Sequence, residues 1–288
     1  MSLDTRHTST AIKGLWLLFL WLCGLAVGAA LTTWCNSAPT DIVSLKWQQL
    51  CQSLLIFALP AIVFRHTATT RATADIGCPR HARIWIAALL LMPCAIPAIN
   101  LTKWLNDMMV LPACMSAIEQ AMLQMEQQAE ALTTAFLDVA DVQGLMLNLL
   151  ALAFVPAIAE ELFFRGALQR LIAGTCGAHL AIWTAAFVFS AIHFQFYGFV
   201  PRLLLGAALG YLYWYSGSLW PSIVAHFVNN ALTVILAFAA ARIKMPIDIE
   251  IIGSESTWWV GLLSLGASVA LCLWIGIGRH TTAAPQQP

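Results

Sequence analysis

Long apolar runs recur along this chain, and they limit what it can fold into more than any other feature. Runs at about 14–34, 48–64, 84–101, 143–170, 178–197, 199–215, 219–241 and 257–278 approach or exceed the roughly 18–20 residues that cross a bilayer. At 60% hydrophobic and 10% charged residues, a chain of 288 is far too apolar for a soluble domain of its size. The sequence therefore specifies an all-α, polytopic membrane helix bundle of about eight transmembrane helices. It reads as a single integral-membrane domain over residues 1–288, without internal repeats.

Charge and cysteine usage narrow the function. A formal net charge of zero gives no basic surface, which removes nucleic acid as a partner and leaves the lipid bilayer as the surroundings. The eight cysteines are scattered, several inside apolar runs, and form neither a disulfide framework nor a zinc-finger spacing. The polar N-terminus runs to Lys13, and the apolar segment after it has no clear cleavage site, so it reads as a retained helix. The loop with Arg65, Arg71, Arg80 and Arg83 against one acid, Asp75, is the most basic. The positive-inside rule makes that loop cytoplasmic, and both termini with it. Segment 102–141 sets Lys103 against Asp107, Glu119, Glu126, Glu130, Asp138 and Asp141 and falls on the outer side. Within it Met115, Ile118, Met122 and Met125 recur at helical spacing, predicting an amphipathic covering helix. Pro93 and Pro97 predict a kink, and Gly206, Ala207, Ala208 and Gly210 predict close helix contact. Trp- and Ala-rich helices with a short polar tail fit a bacterial inner membrane.

The chemistry centres on residues 156–170. Glu160 and Glu161 end an apolar run, and Arg165 lies four residues beyond Glu161, on the same helical face. That pair can hold both charges in an apolar setting. Glu160, about 100° around the helix, has no local partner. Ionisable residues at membrane depth are expensive and mark functional sites. His193, His226 and Asn230 are polar groups in other apolar helices. His226 and Asn230 share a face, as do Phe189 and His193. Taken singly, each could be a packing residue or interhelical glue; together, beside an unpaired glutamate, they point to one site.

Glu160-Glu161-x-x-x-Arg165, Phe189-x-x-x-His193 and His226-x-x-x-Asn230 resemble the three ordered motifs of the CPBP intramembrane proteases, which include the CAAX prenyl endopeptidases and Abi-like proteins. The resemblance covers a motif-bearing core of about 143–241. It implies an eight-helix membrane endopeptidase acting on a membrane-anchored peptide or protein. Glu160 and His193 would activate water, His226 and Asn230 would stabilise the oxyanion, and Glu161 and Arg165 would orient the site. Phe189 reads as packing that positions His193. The residues favour a metal-free mechanism; zinc is the alternative cofactor, with Glu160, His193 and His226 as candidate ligands. Rival readings are a proton-coupled transporter, which lacks repeat symmetry here, and a catalytically silent binding relative. Two geometric expectations follow. The polar residues should line one cavity opening towards the cytoplasmic half. His193, about fifteen residues into its helix, and His226, about seven into its own, differ in depth by roughly 12 Å at 1.5 Å per residue, so either the helix before His193 starts nearer Ile182 or it is strongly tilted.

Overall fold

A computed structural model describes residues 9–35, 41–69, 75–243 and 251–276. Among them there is no strand. The helices are α1 (Thr10–Cys35), α2 (Ile42–Ala68), α3 (Ala82–Asp107), α4 (Ser116–Leu137), α5 (Val142–Cys176), α6 (Ala178–Ala191), α7 (Phe199–Ser216), α8 (Leu219–Ile243) and α9 (Trp258–Gly276). Among the described residues, six helical segments are long and apolar enough to cross a membrane. The protein is an all-α integral membrane bundle.

Caps and glycines set the helix ends. Asp41 accepts from Ser44 N and starts α2 at Ile42, earlier than the apolar pattern alone suggests. Gly177 (φ 80°) separates α5 from α6, and Gly217 (φ 68°) closes α7 in the left-handed region that favours glycine. α6 ends at Ala191, not near residue 197. The chain from 192 to 198 is irregular, with Phe194 at φ 53°. This early stop puts His193 in the break after α6.

Where proline disturbs the helical ladder, a side chain from another helix bonds into it. α3 continues through Pro93 and Pro97. There the Ser264 hydroxyl of α9 sits in the helical ladder, accepting from Ala98 N and donating to Cys94 O. In α5, Pro156 has no N–H for the carbonyl of Leu152, and Asn230 Nδ2 donates to it at 3.3 Å. π-Helical turns at Leu149–Phe154 and Phe164–Gln169 flank the two glutamates, a distortion that recurs at functional sites.

The two largest apolar cores span most of the bundle. One joins Leu91 and Met92 of α3 to Leu209 and Leu212 of α7 and Ile275 of α9. The other joins Leu17 of α1 and Phe64 of α2 to Phe163 and Phe164 of α5 and Phe189 of α6. The small residues of α7 do allow close approach: a Cβ on Gly206 would meet Ala186 at 3.2 Å, and one on Gly210 would meet Ile182 at 2.9 Å. α4 differs from the other helices. Ile118, Leu123, Met125 and Leu132 are exposed, and Phe136 is its one buried residue. On the apolar face Met115, Ile118 and Met125 are exposed and Met122 is half-buried, while Glu126, Thr133 and Phe136 line the cavity.

The end of the bundle at loop 69–81 is fastened by charge. Arg65, within the last turn of α2, is buried and donates to both carboxylate oxygens of Asp75, while its Nη1 also donates to Gly166 O of α5. Tyr213 Oη donates to Asp75 at 2.8 Å, and Arg170 approaches it at 3.5 Å. Arg65 is therefore an internal ion-pair residue, leaving Arg80 and Arg83 as the charges of this loop outside the cluster. Arg71, Arg6 and the end of the last apolar run lie outside the described residues. Burial by itself would raise the Asp75 carboxyl, but the Arg65 bonds and charge, with Tyr213 and Arg170, outweigh it and hold it below its ordinary value. A carboxyl lowered on folding stabilises fully above about pH 4 and loses that contribution as pH falls through its folded value. Asp75→Ala strands Arg65 as a buried charge and should lower stability by roughly 3–5 kcal/mol. Thermal unfolding in detergent should show that loss at pH 7 and a smaller difference from wild type at the lowest pH the fold tolerates. An equal Tm at pH 7 would contradict the latch.

Candidate active site

α5 carries the two glutamates on different faces, and their surroundings differ accordingly. The Glu161 side chain is fully buried and Glu160 is 13% exposed. Arg165 Nη1 donates to Glu161 Oε1 at 2.7 Å, closing the i,i+4 pair expected from the sequence. Arg165 also reaches out of its own helix. Nη2 donates to Gly206 O of α7 at 2.8 Å, and its Cζ lies 5.2 Å from the Phe189 ring centroid. One guanidinium thus ties α5 to α6 and α7.

His226 of α8 lies between the carboxylates. Nδ1 is 2.9 Å from Glu161 Oε1, and Nε2 is 3.8 Å from Glu160 Oε2. With an ionised Glu161 as acceptor, Nδ1 carries the proton and Nε2 faces Glu160. Glu161 therefore orients a histidine as well as pairing with Arg165, a contact that i,i+4 spacing could not reveal. His193 is set in the same way by a carbonyl. Its Nδ1 lies 2.7 Å from Phe189 O. A carbonyl can only accept, so Nδ1 is protonated and Nε2 keeps its lone pair. The Phe189 ring packs edge-on against His193, His226 and Phe164.

Glu160, Phe189, His193, His226 and Asn230 line one cavity of about 1090 Å³. Asn230 gives one amide N–H to Leu152 O and accepts from Asn229 Nδ2 at 3.1 Å, leaving its second N–H for the cavity. Asn230 is thus both interhelical glue and a cavity donor. Lys103, Glu126, Asn229 and Arg202 also line this space, and the motifs gave no sign of them. The lining runs from Glu160 and His226 towards Lys103 of α3, Ala240 of α8 and the inward face of α4. These lining residues lie towards the end of the bundle away from the Arg65–Asp75 loop. The early end of α6 at Ala191 puts His193 near that end.

Among the described residues, no group of three or more His, Cys, Asp or Glu side chains is placed to hold one ion.

With this geometry in place, comparison with known proteins adds family context. The model of the type II CAAX prenyl endopeptidase Rce1-like family matches residues 142–232, a segment holding all three motifs. That match covers the segment on which the resemblance to the CPBP proteases rests. Uncharacterized protein YpbD of Bacillus subtilis (strain 168) is 32% identical over 88 residues, 29% of this chain. The chain spans 42% of that relative's length. No solved structure matches.

Arg165→Ala should act on folding before chemistry, because it leaves Glu161 charged and buried, a loss of roughly 3–5 kcal/mol in comparable pairs. The yield of monodisperse protein and its Tm should both fall. A variant with wild-type Tm would show that His226 alone compensates Glu161.

Proposed function

We propose that the protein is an intramembrane endopeptidase that hydrolyses a peptide bond of a membrane-associated protein or peptide with water activated by Glu160 and His193. The observation that carries this reading is the shared cavity, lined by two proton acceptors and two potential oxyanion donors from α5, the break after α6, and α8.

The chemistry follows from the hydrogen-bond assignments. His193 Nε2 and the Glu160 carboxylate are both acceptors, so together they can take the two O–H groups of one water and turn its lone pair towards a carbonyl carbon. Attack forms the C–O bond as one water proton passes to Glu160, and the carbonyl oxygen becomes an oxyanion. The free N–H of Asn230 can donate to that oxyanion. His226 can do so only when Nε2 is protonated, and its position beside Glu160 gives such a proton a route. Glu161 stabilises the imidazolium from the Nδ1 side. Collapse of the intermediate breaks the C–N bond as the proton returns from Glu160 to the leaving amine. A bacterial inner membrane with both termini cytoplasmic is the setting we infer from the loop charges, which places the α4 end of the cavity on the outer side.

Glu160→Gln should abolish cleavage of membrane-peptide substrates while leaving Tm and elution profile close to wild type. Activity retained within about tenfold in Glu160→Gln would remove Glu160 from the reaction, since a positioned general base contributes typically 10²–10⁴-fold. Strong chelators should leave the rate unchanged. Stoichiometric zinc in active protein, lost in His193→Ala or His226→Ala, would replace this mechanism with a metal-assisted one.

A further inference from the structure

Arg202 is a charged group of the cavity that the proposed reaction leaves unused. It stands in the first turn of α7 and lines the cavity with Glu160, His193 and His226. Nη2 donates to the neutral amide Oε1 of Gln195 at 2.6 Å. Nη1 is buried with no hydrogen-bond partner, and no ion pair involves Arg202 among the described residues. The guanidinium rests on Gly198, where a Cβ would fall 2.9 Å from Nη2 and 3.2 Å from Nη1. A glycine shelf and a neutral amide thus hold the head group in place without neutralising it. Across the cavity the inward face of α4 brings Glu126, whose Oε2 is also buried without a partner. The Glu126 carboxylate does not close on Arg202.

A guanidinium with an idle buried donor is costly unless something fills it, and its planar fork matches a carboxylate. Taking the proteolytic reading as its basis, we propose that Arg202 binds a carboxylate of the substrate and so sets which peptide bond reaches Glu160 and His193. That carboxylate is either the α-carboxylate at the substrate's C-terminus or an acidic side chain near the scissile bond. Glu126 then competes with it for Arg202, making α4 part of the specificity device.

The test uses full-length protein and pairs of fluorescent membrane-peptide libraries. One pair differs only in a free C-terminal carboxylate against an amide. The second pair, both amidated, differs in Asp against Asn. Binding is read by anisotropy on Glu160→Gln, so it does not depend on cleavage. The carboxylate member of one pair should bind about tenfold tighter, equivalent to about 1.4 kcal/mol, and the pair that discriminates identifies the source. Arg202→Ala in that background should bring the ratio close to one, Arg202→Lys should keep part of it, and Glu126→Gln should raise it. With wild-type Glu160, the same ratio should appear in KM more than in kcat. Gly198→Ala, which crowds the guanidinium, should lower the ratio even if Arg202→Ala fails to fold. Equal binding of both members of each pair, or discrimination that survives Arg202→Ala, overturns the proposal. Discrimination in binding with no cleavage by the wild type would instead sink the proteolytic reading and leave the carboxylate site standing.

Discussion

The bundle depends on one buried ion pair. Glu161 and Arg165 have side chains 0% and 1% exposed, and neither could stay charged at that depth alone. Four residues apart on α5, they neutralise each other locally, and their remaining hydrogen-bonding capacity reaches neighbouring helices. Arg165 takes the carbonyl of Gly206 in α7, and Glu161 takes Nδ1 of His226 in α8. The same interaction that makes the helix tolerable in an apolar interior thus fixes the ring that faces Glu160.

A second constraint is the need to satisfy backbone carbonyls without water. Pro97 and Pro156 each remove a donor or disturb the ladder, and Ser264 and Asn230 supply replacements from other helices. The π-turn at Phe164–Gln169 likewise presents Gly166 O to Arg65. These bonds stitch α3 to α9, α5 to α8 and α2 to α5. Asn230 gains its orientation in the cavity from a carbonyl that proline left unpaired, so packing and proposed chemistry rest on one residue.

The cavity owes its shape to where helices stop. α6 is only Ala178–Ala191, and the irregular stretch after it carries His193, Gln195 and Gly198 past the cavity wall. α4 lies over the same end with most of its apolar side chains exposed and Glu126, Thr133 and Phe136 lining the cavity. Bulk apolar burial holds α4 little, which sets it apart from helices built into the two cores.

By itself, the sequence determined the all-α membrane class, because apolar runs of spanning length leave few alternatives. It also determined the Glu161–Arg165 pair and the three motifs, because i,i+4 spacing is a property of one helix and needs no partner. Only the tertiary structure decided which atoms those residues use. His226 lies between both glutamates from another helix, Arg202 lines the same cavity as Glu160, Arg65 turns inward to Asp75 of the following loop, and Phe189 O fixes the His193 tautomer where α6 has ended. Spacing along one helix does not encode the rotation and depth of another. The position of His193 was decided there too, because the point where α6 breaks depends on packing at residues 192–198, and the apolar pattern of Phe194 and Phe196 runs on through that break without marking it.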